Sequence, residues 1–337
     1  MGRVSASTRA DDNGVLVEVR NLVKTFVSGD TLVRRLLGQN PEVLRAVDNV
    51  SLRVYRGETL GLVGESGCGK TTLGRCIVRL YEPDEGEVFY EGENVLELQG
   101  TELRGMRQRM QMVFQDPYSS LNPRMTVRQA LSEALRVHED GPQSEVEEKV
   151  TALALRVGLP AAALDRVPKQ FSGGQRQRIG IARALAVEPE FIVADEPVSS
   201  LDVSVQAQVI NLLMSLQEEL EMTMIMIAHD LSLVRHVSRR VAVMYLGRIV
   251  EIAPRDELFD TPFHPYTSAL LSAVPRVKAG QTPGKSAVEG EPPSPINLPR
   301  GCRFHPRCRR AAEVCMLEEP DLVEVENGHY VACHMGY

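Results

Sequence analysis

The chain predicts an α/β fold built on a mostly parallel, layered sheet. Three observations carry this. Short apolar runs at 60–63, 191–194 and 223–228 read as buried strands. Helical patterns at 71–79, 175–187 and 203–219 alternate with them. A glycine-rich stretch joins the first of these runs to the first helix, as a phosphate loop would.

Taken in order, 16–22 and 46–55 alternate well enough to be strands, with a basic, irregular insertion around Arg34-Arg35 between them. Leu60-Gly61-Leu62-Val63 reads as a buried parallel strand, and 71–79 as a helix. Strands follow at 86–90 and 111–114. Helical periodicity at 126–136 and 144–157 places a helical subdomain at about 126–167, inserted into the α/β core. The core then resumes with the helix at 175–187, a strand at 191–194, a helix at 203–219, and strands at 223–228 and 241–245. Residues 276–300 carry Pro283, Pro292, Pro293, Pro295 and Pro299 and read as an extended linker. The expected organisation is therefore a nucleotide-binding domain over 1–275, a linker over 276–300, and a small cysteine-rich module over 301–337.

Composition narrows the class. At 337 residues the chain can hold one large domain with an appendage, or two domains. It is 43% hydrophobic and 25% charged, as soluble globular proteins are. No apolar run approaches the ~20 residues needed to span a bilayer. Residues 1–13 are polar, so no secretory signal is expected. A net charge of −7 gives no basic footprint for nucleic acid. Six cysteines without a signal point to a reducing compartment.

The nucleotide motif is the first source of chemistry. Gly64-Glu65-Ser66-Gly67-Cys68-Gly69-Lys70-Thr71, with Thr72 next, matches the phosphate loop G-x-x-x-x-G-K-[ST] between a strand and a helix. Its glycines let backbone N–H groups converge on phosphate oxygens at a helix N-terminus. Lys70 is expected at the β- and γ-phosphates, and the Thr71 hydroxyl on Mg²⁺. Such loops serve kinases, GTPases and ATPases alike. Phe191-Ile192-Val193-Ala194-Asp195-Glu196 then delivers two carboxylates at the C-terminal edge of a strand, where α/β sheets bind ligands. Asp195 is expected in the Mg²⁺ shell. Glu196 suits a general base or water-orienting group.

One further stretch distinguishes the class. Phe171-Ser172-Gly173-Gly174-Gln175-Arg176-Gln177-Arg178 opens a helix shortly before that strand and resembles the signature of ATP-binding-cassette ATPases. Phe171 departs from the leucine that commonly precedes Ser-Gly-Gly-Gln. Gln115 resembles the family glutamine that touches Mg²⁺ and water. Asp202, in Ser199-Ser200-Leu201-Asp202, resembles the carboxylate of the loop crossing between two sites. His229 resembles the switch histidine at the γ-phosphate. The resemblance covers about residues 15–275. It implies a P-loop cassette core with an inserted helical subdomain and an antiparallel β subdomain. It also implies that Ser172, Gly173, Gly174 and Gln175 cap ATP held by a second subunit, while Lys70, Gln115, Glu196 and His229 act at this chain's own ATP. An aromatic residue stacks on adenine in this family, and Phe26 is the candidate beside a core role.

The stretch 114–123, His264-Pro265-Tyr266-Thr267 and the cysteine tail resemble the oligopeptide/dipeptide branch of import ATPases. That branch implies an ATPase at the cytoplasmic face of the membrane, powering peptide import. Its partners would be a second and different ATPase chain, two transmembrane permeases and an external solute-binding protein, with no nucleic acid. Related importers carry nickel, glutathione or oligosaccharides, and other cassette ATPases do not transport at all.

Cys302, Cys308, Cys315 and Cys333 are spaced C-x₅-C-x₆-C-x₁₇-C. Four clustered thiols in a reducing compartment suggest metal ligands, with His305 and His334 close by in sequence. Zinc sites usually show C-x₂₋₄-C pairs, which are missing here, whereas iron–sulfur clusters tolerate varied spacing. Four free thiols are the alternative. Some members of the oligopeptide/dipeptide branch carry a [4Fe–4S] cluster in this tail, so the resemblance favours that cluster over Zn²⁺.

Overall fold

The computed structural model describes residues 14–28, 42–116, 121–137, 141–273, 293–326 and 328–335. The Arg34-Arg35 insertion, residues 117–120 of the stretch after Gln115, and linker residues 276–292 lie outside the described residues.

Two sheets form the frame. Strands β1 (Val15–Ser28), β2 (Glu42–Tyr55), β4 (Glu85–Tyr90) and β5 (Glu93–Asn94) make an antiparallel sheet in the order β2-β1-β4-β5. The second sheet has eight strands, in the order β11 (Val323–Glu326), β12 (His329–Val331), β10 (Arg248–Pro254), β9 (Arg240–Tyr245), β3 (Thr59–Val63), β8 (Thr223–Ile227), β7 (Phe191–Asp195) and β6 (Met110–Val113). Its parallel part comprises β9, β3, β8, β7 and β6. β3, β7 and β8 are buried along their whole length, which is why they read as unbroken apolar runs rather than alternating ones.

Helices cover both faces. α1 (Lys70–Ile77) follows the phosphate loop, and α2 (Gly100–Arg109) leads into β6. The helical subdomain comprises α3 (Val127–Arg136) and α4 (Gln143–Arg156). Thr126 starts α3 through a capping box with Gln129, satisfying two backbone donors reciprocally. Leu131, Leu135, Val146 and Val150 then share one core with Ile179 and Leu185 of α5 (Gly173–Leu185). Burying each such side chain contributes roughly 1.5–3 kcal/mol. The core is completed by α6 (Val203–Glu219) and α7 (Leu231–Val237).

Two features depart from the sequence reading. β1 runs on to Ser28, so Phe26 sits inside a strand and pairs with Leu44 of β2. The described residues of the segment expected as a small cysteine-rich module, 301–337, join the main sheet. β12 (His329–Val331) hydrogen-bonds to β10 (Arg248–Pro254), and β11 (Val323–Glu326) extends the same sheet. α8 (Arg255–Asp260) and α9 (Pro265–Ser272) pack beside β10, and α10 (Glu313–Leu317) is the last helix among the described residues. A cavity of about 600 Å³ separates the antiparallel sheet from this C-terminal segment; its lining includes Arg53, Arg240 and Arg303 but none of the catalytic candidates.

Candidate active site

The phosphate loop bridges β3 and α1. At Gly69 the backbone has a φ of 109°, and an added Cβ would lie 1.9 Å from the Ala46 carbonyl oxygen, so only glycine fits. The Lys70 side chain is buried and folds back into the loop. Its ammonium donates to the carbonyls of Gly64 (2.8 Å) and Glu65 (3.0 Å). Cys68 is buried beneath the loop, with burial raising its thiol pKa, while Ser66 and Gly67 are exposed at the tip.

Two carboxylates arrive from the end of β7. Thr71 Oγ1 donates to Asp195 Oδ1 at 2.8 Å. Asp195 is 1% exposed, and burial raises its pKa despite the Thr71 hydrogen bond. Its Oδ2 is buried and has no hydrogen-bond partner among the described residues. A buried carboxylate oxygen left unsatisfied beside a threonine hydroxyl fits a hard divalent cation, so the residues present fit Mg²⁺. Glu196, one residue on, adopts a left-handed backbone with φ 41°, and its N–H donates to the Ile227 carbonyl at 3.0 Å. Such strained positions cluster at functional sites.

Glu196 Oε2 is the meeting point of three loops. Gln115 Nε2 donates to it at 3.0 Å and lies 3.3 Å from Ser199 Oγ. His229 Nδ1 lies 3.3 Å from the same carboxylate oxygen. His229 stays 60% exposed, so its ring remains open to a ligand. Asp230 caps α7 by accepting the Ser232 N–H, which fixes the backbone beside His229. The Gln115 amide is directed to Glu196 and Ser199.

The Ser-Gly-Gly-Gln stretch forms the N-terminus of α5. Ser172 and Gln175 make a reciprocal capping box. Gly174 is required by close packing, since a Cβ there would sit 2.3 Å from Val205 Cγ1 of α6. Gly173 lies against Leu201. Asp202 occupies the cap position of α6 but makes no cap hydrogen bond and is exposed. Phe26, at the far end of β1, is half-buried edge-on to Tyr81 at 5.8 Å.

Sequence reasoning gave no role to four residues that hold this geometry. Gln177, buried on α5, reaches the Phe114 carbonyl just before Gln115 (3.4 Å). Gln206 donates to the Val198 and Leu201 carbonyls, both at 3.0 Å, and pins the crossing loop. Tyr266 Oη accepts the Glu65 N–H at 2.9 Å. Arg307 grips the Glu65 carboxylate with both terminal nitrogens at 2.9 Å. A buried polar residue inside an apolar helix pattern was the available signal for Gln177. Arg307 gave none, because its partner lies 242 residues away.

Two family models match this chain: "ABC transporter" over residues 47–199, and "Oligopeptide/dipeptide transporter, C-terminal region" over 250–315. The oligopeptide transport ATP-binding protein AppF of Bacillus subtilis is 49% identical over 97% of this chain and 99% of its own length. The chain belongs to the ABC transporter ATPases, in the oligopeptide/dipeptide branch. A second relative of this ABC branch, the oligopeptide transport ATP-binding protein OppF of Haemophilus influenzae, is 47% identical over 97% of this chain and 98% of its own length. Among solved ABC structures, the dimeric ATP-binding cassette MJ0796 bound to ADP and Pi superposes with a TM-score of 0.63. It is 29% identical and covers 71% of this chain and 99% of the cassette. CbiO1 from Clostridium perfringens gives 0.62 at 25% identity, covering 74% of this chain and 92% of its own. No helix among the described residues of this ABC subunit is long and apolar enough to cross a membrane.

The expected metal centre in the tail finds no support among the described residues. Cys302 and Cys308 flank one turn, Cys315 lies in α10, and Cys333 follows β12. Among the described residues no group of three or more His, Cys, Asp or Glu side chains gathers closely enough to hold a metal ion. Burial pushes the Cys302 thiol up to about 11, with the neighbouring cysteines adding to it, and raises Cys308 and Cys333 as well.

The branch motif His264-Pro265-Tyr266 has a structural task. Buried His264 caps α9, its Nδ1 accepting the Tyr266 N–H at 3.0 Å, which requires an unprotonated Nδ1. Burial lowers its pKa from 6.5 to about 4, while Glu251 opposes the shift. The unfolded chain therefore takes up this proton first as pH falls. The stability it represents is complete above about pH 6.5 and is lost toward pH 4, an effect on the order of 3 kcal/mol. His264→Asn keeps a cap acceptor and removes the titration. Its thermal midpoint is expected to fall less than that of the unaltered chain between about pH 7 and pH 5. Equal falls would exclude His264 as the cause.

Proposed function

We propose that this subunit powers the import of peptides across the cytoplasmic membrane by ATP-driven closure against a second ABC subunit. The observation that carries the reading is the convergence of Gln115 and His229 on Glu196 Oε2 beside the Asp195–Thr71 pair. Hydrolysis at a γ-phosphate needs an in-line water and neutralised charge rather than new covalent chemistry. Glu196 orients the water and takes its proton. Lys70 and His229 offer donors to the phosphates, and Thr71 and Asp195 hold Mg²⁺, which when bound neutralises phosphate charge. Phe26 contributes the adenine contact from the end of β1.

Ser172, Gly173, Gly174 and Gln175 act outward. The α5 N-terminus, set by the capping box, presents backbone amides to a partner's ATP, and Asp202 lies on the adjoining crossing loop. The partner in this reading is a second, different ABC chain. Gln115 and the helical subdomain pass the closure to two permease subunits, and an external solute-binding protein delivers the peptide. The cargo rests on the relatives' names and the branch-specific C-terminal match.

Reconstitution in lipid vesicles with the co-purifying permease and ATPase subunits tests this. Peptide-loaded binding protein is expected to stimulate ATP turnover and drive peptide uptake. Stimulation by nickel, glutathione or oligosaccharide, with none by peptide, would assign the subunit to a sister importer.

A further inference from the structure

The stretch Gly301–Cys308 lies far from the catalytic motifs in sequence, yet it touches the phosphate loop along two routes. Arg307, with a side chain only 6% exposed, makes a two-pronged pair with the Glu65 carboxylate and also reaches Tyr245 Oη at 3.3 Å. Buried Arg303 donates to the Leu246 carbonyl and pairs with Asp48 and Glu319. Leu246 and Gly247 form the tight turn between β9 and β10, and the Gly247 N–H donates to the Cys68 carbonyl at 2.8 Å. Phe304, buried between the two arginines in sequence, seats the stretch against the rings of Tyr245 and Tyr266, each 5.4 Å away. Tyr266 in turn accepts the Glu65 N–H.

Glu65 is thus held at every polar group it has. Its N–H goes to Tyr266, its carbonyl to Lys70, and its carboxylate to Arg307. A phosphate loop binds through the direction of its backbone N–H groups, so whatever fixes its backbone fixes its affinity. A bidentate arginine–carboxylate pair constrains orientation as well as position. The loop glycines leave the backbone free to adopt other conformations, and the arginines remove that freedom.

The geometry points to Arg307 and Arg303 as positioning residues that hold the phosphate loop in its nucleotide-binding shape, making the C-terminal segment part of the ATP site. This rests on the ATPase reading and adds to it a residue that touches neither nucleotide nor metal.

Arg307→Ala is expected to raise the Kd for MgATP, measured by calorimetry on the full chain, about tenfold, toward the lower end of the 5- to 150-fold range common for coupled sites. In the assembled complex KM for ATP should rise by a similar factor while kcat changes less than about twofold, the pattern of a lost binding contribution. Glu65→Gln, which leaves the C-terminal segment intact, should give the same loss. The double variant should be no worse than either single one, because both break one interaction. Arg307→Lys should recover only part of the affinity, since an ammonium cannot grip both oxygens.

Unchanged MgATP affinity in Glu65→Gln would overturn the proposal, even if Arg307→Ala failed to fold. Losses that multiply in the double variant would overturn it too. MgATP binding by the unaltered chain is what the ATPase reading requires. The difference between that chain and the variants is what the positioning role requires.

Discussion

Replacing Glu196 by glutamine is expected to lower ATP turnover of the assembled complex by about 10²–10⁴-fold, the usual contribution of a positioned general base. Binding should survive, because the loop and Lys70 would meet the phosphates, whereas the Glu196 carboxylate faces Gln115 and His229 on the side proposed for the water. Glutamine keeps an acceptor for the Gln115 amide and removes the negative charge. The variant should therefore accumulate as an ATP-bound closed dimer, detectable by size-exclusion chromatography with MgATP. Turnover near the unaltered rate would show that another group orients the water.

Gly69→Ala should have the largest structural effect of any single-atom addition in the site. Its φ of 109° disfavours every L side chain, and the new Cβ would press within 1.9 Å of a backbone oxygen, which cannot swing aside as a side chain would. The combined strain and overpacking are expected to cost on the order of 2–5 kcal/mol. Relief requires moving either β2 at Ala46 or the N-terminus of α1, and the second disrupts the amides that face phosphate. The thermal midpoint should fall and MgATP affinity should vanish together. A variant with both intact would mean the loop relaxes at little cost.

The site's chemistry was legible because its residues obey local rules. Lys70 and Thr71 follow a strand and begin a helix, and Asp195-Glu196 end a buried strand at the edge where such sheets bind ligands. The capping box at Ser172 is likewise written within four residues. What stayed hidden was set by distant partners. β10 was missed because Glu251 interrupts its apolar pattern. That glutamate is nonetheless fully buried, accepting the N–H groups of Phe263 and His264 and pairing with His329 of β12. The hairpin before it gave no warning either. Its turn places Leu246 at φ 42°, a conformation for which leucine is an unusual choice. The cysteines lie on a turn, a helix and a strand end, and their spacing alone did not say how near one another the fold would bring them. Spacing constrains ligands only when the backbone between them is short.

The Arg307–Glu65 pair also has a consequence in time. During synthesis residue 65 leaves the ribosome 242 residues before its partner exists. Residues reach the growing end at about 5–20 per second, so that gap lasts on the order of 10–50 seconds. For that interval the nascent chain carries a chemically complete nucleotide loop without the contact that fixes its shape. Competence for ATP would thus be acquired late, after most of the sheet has already formed. Chains interrupted before residue 307 would emerge folded in large part yet hold nucleotide less tightly.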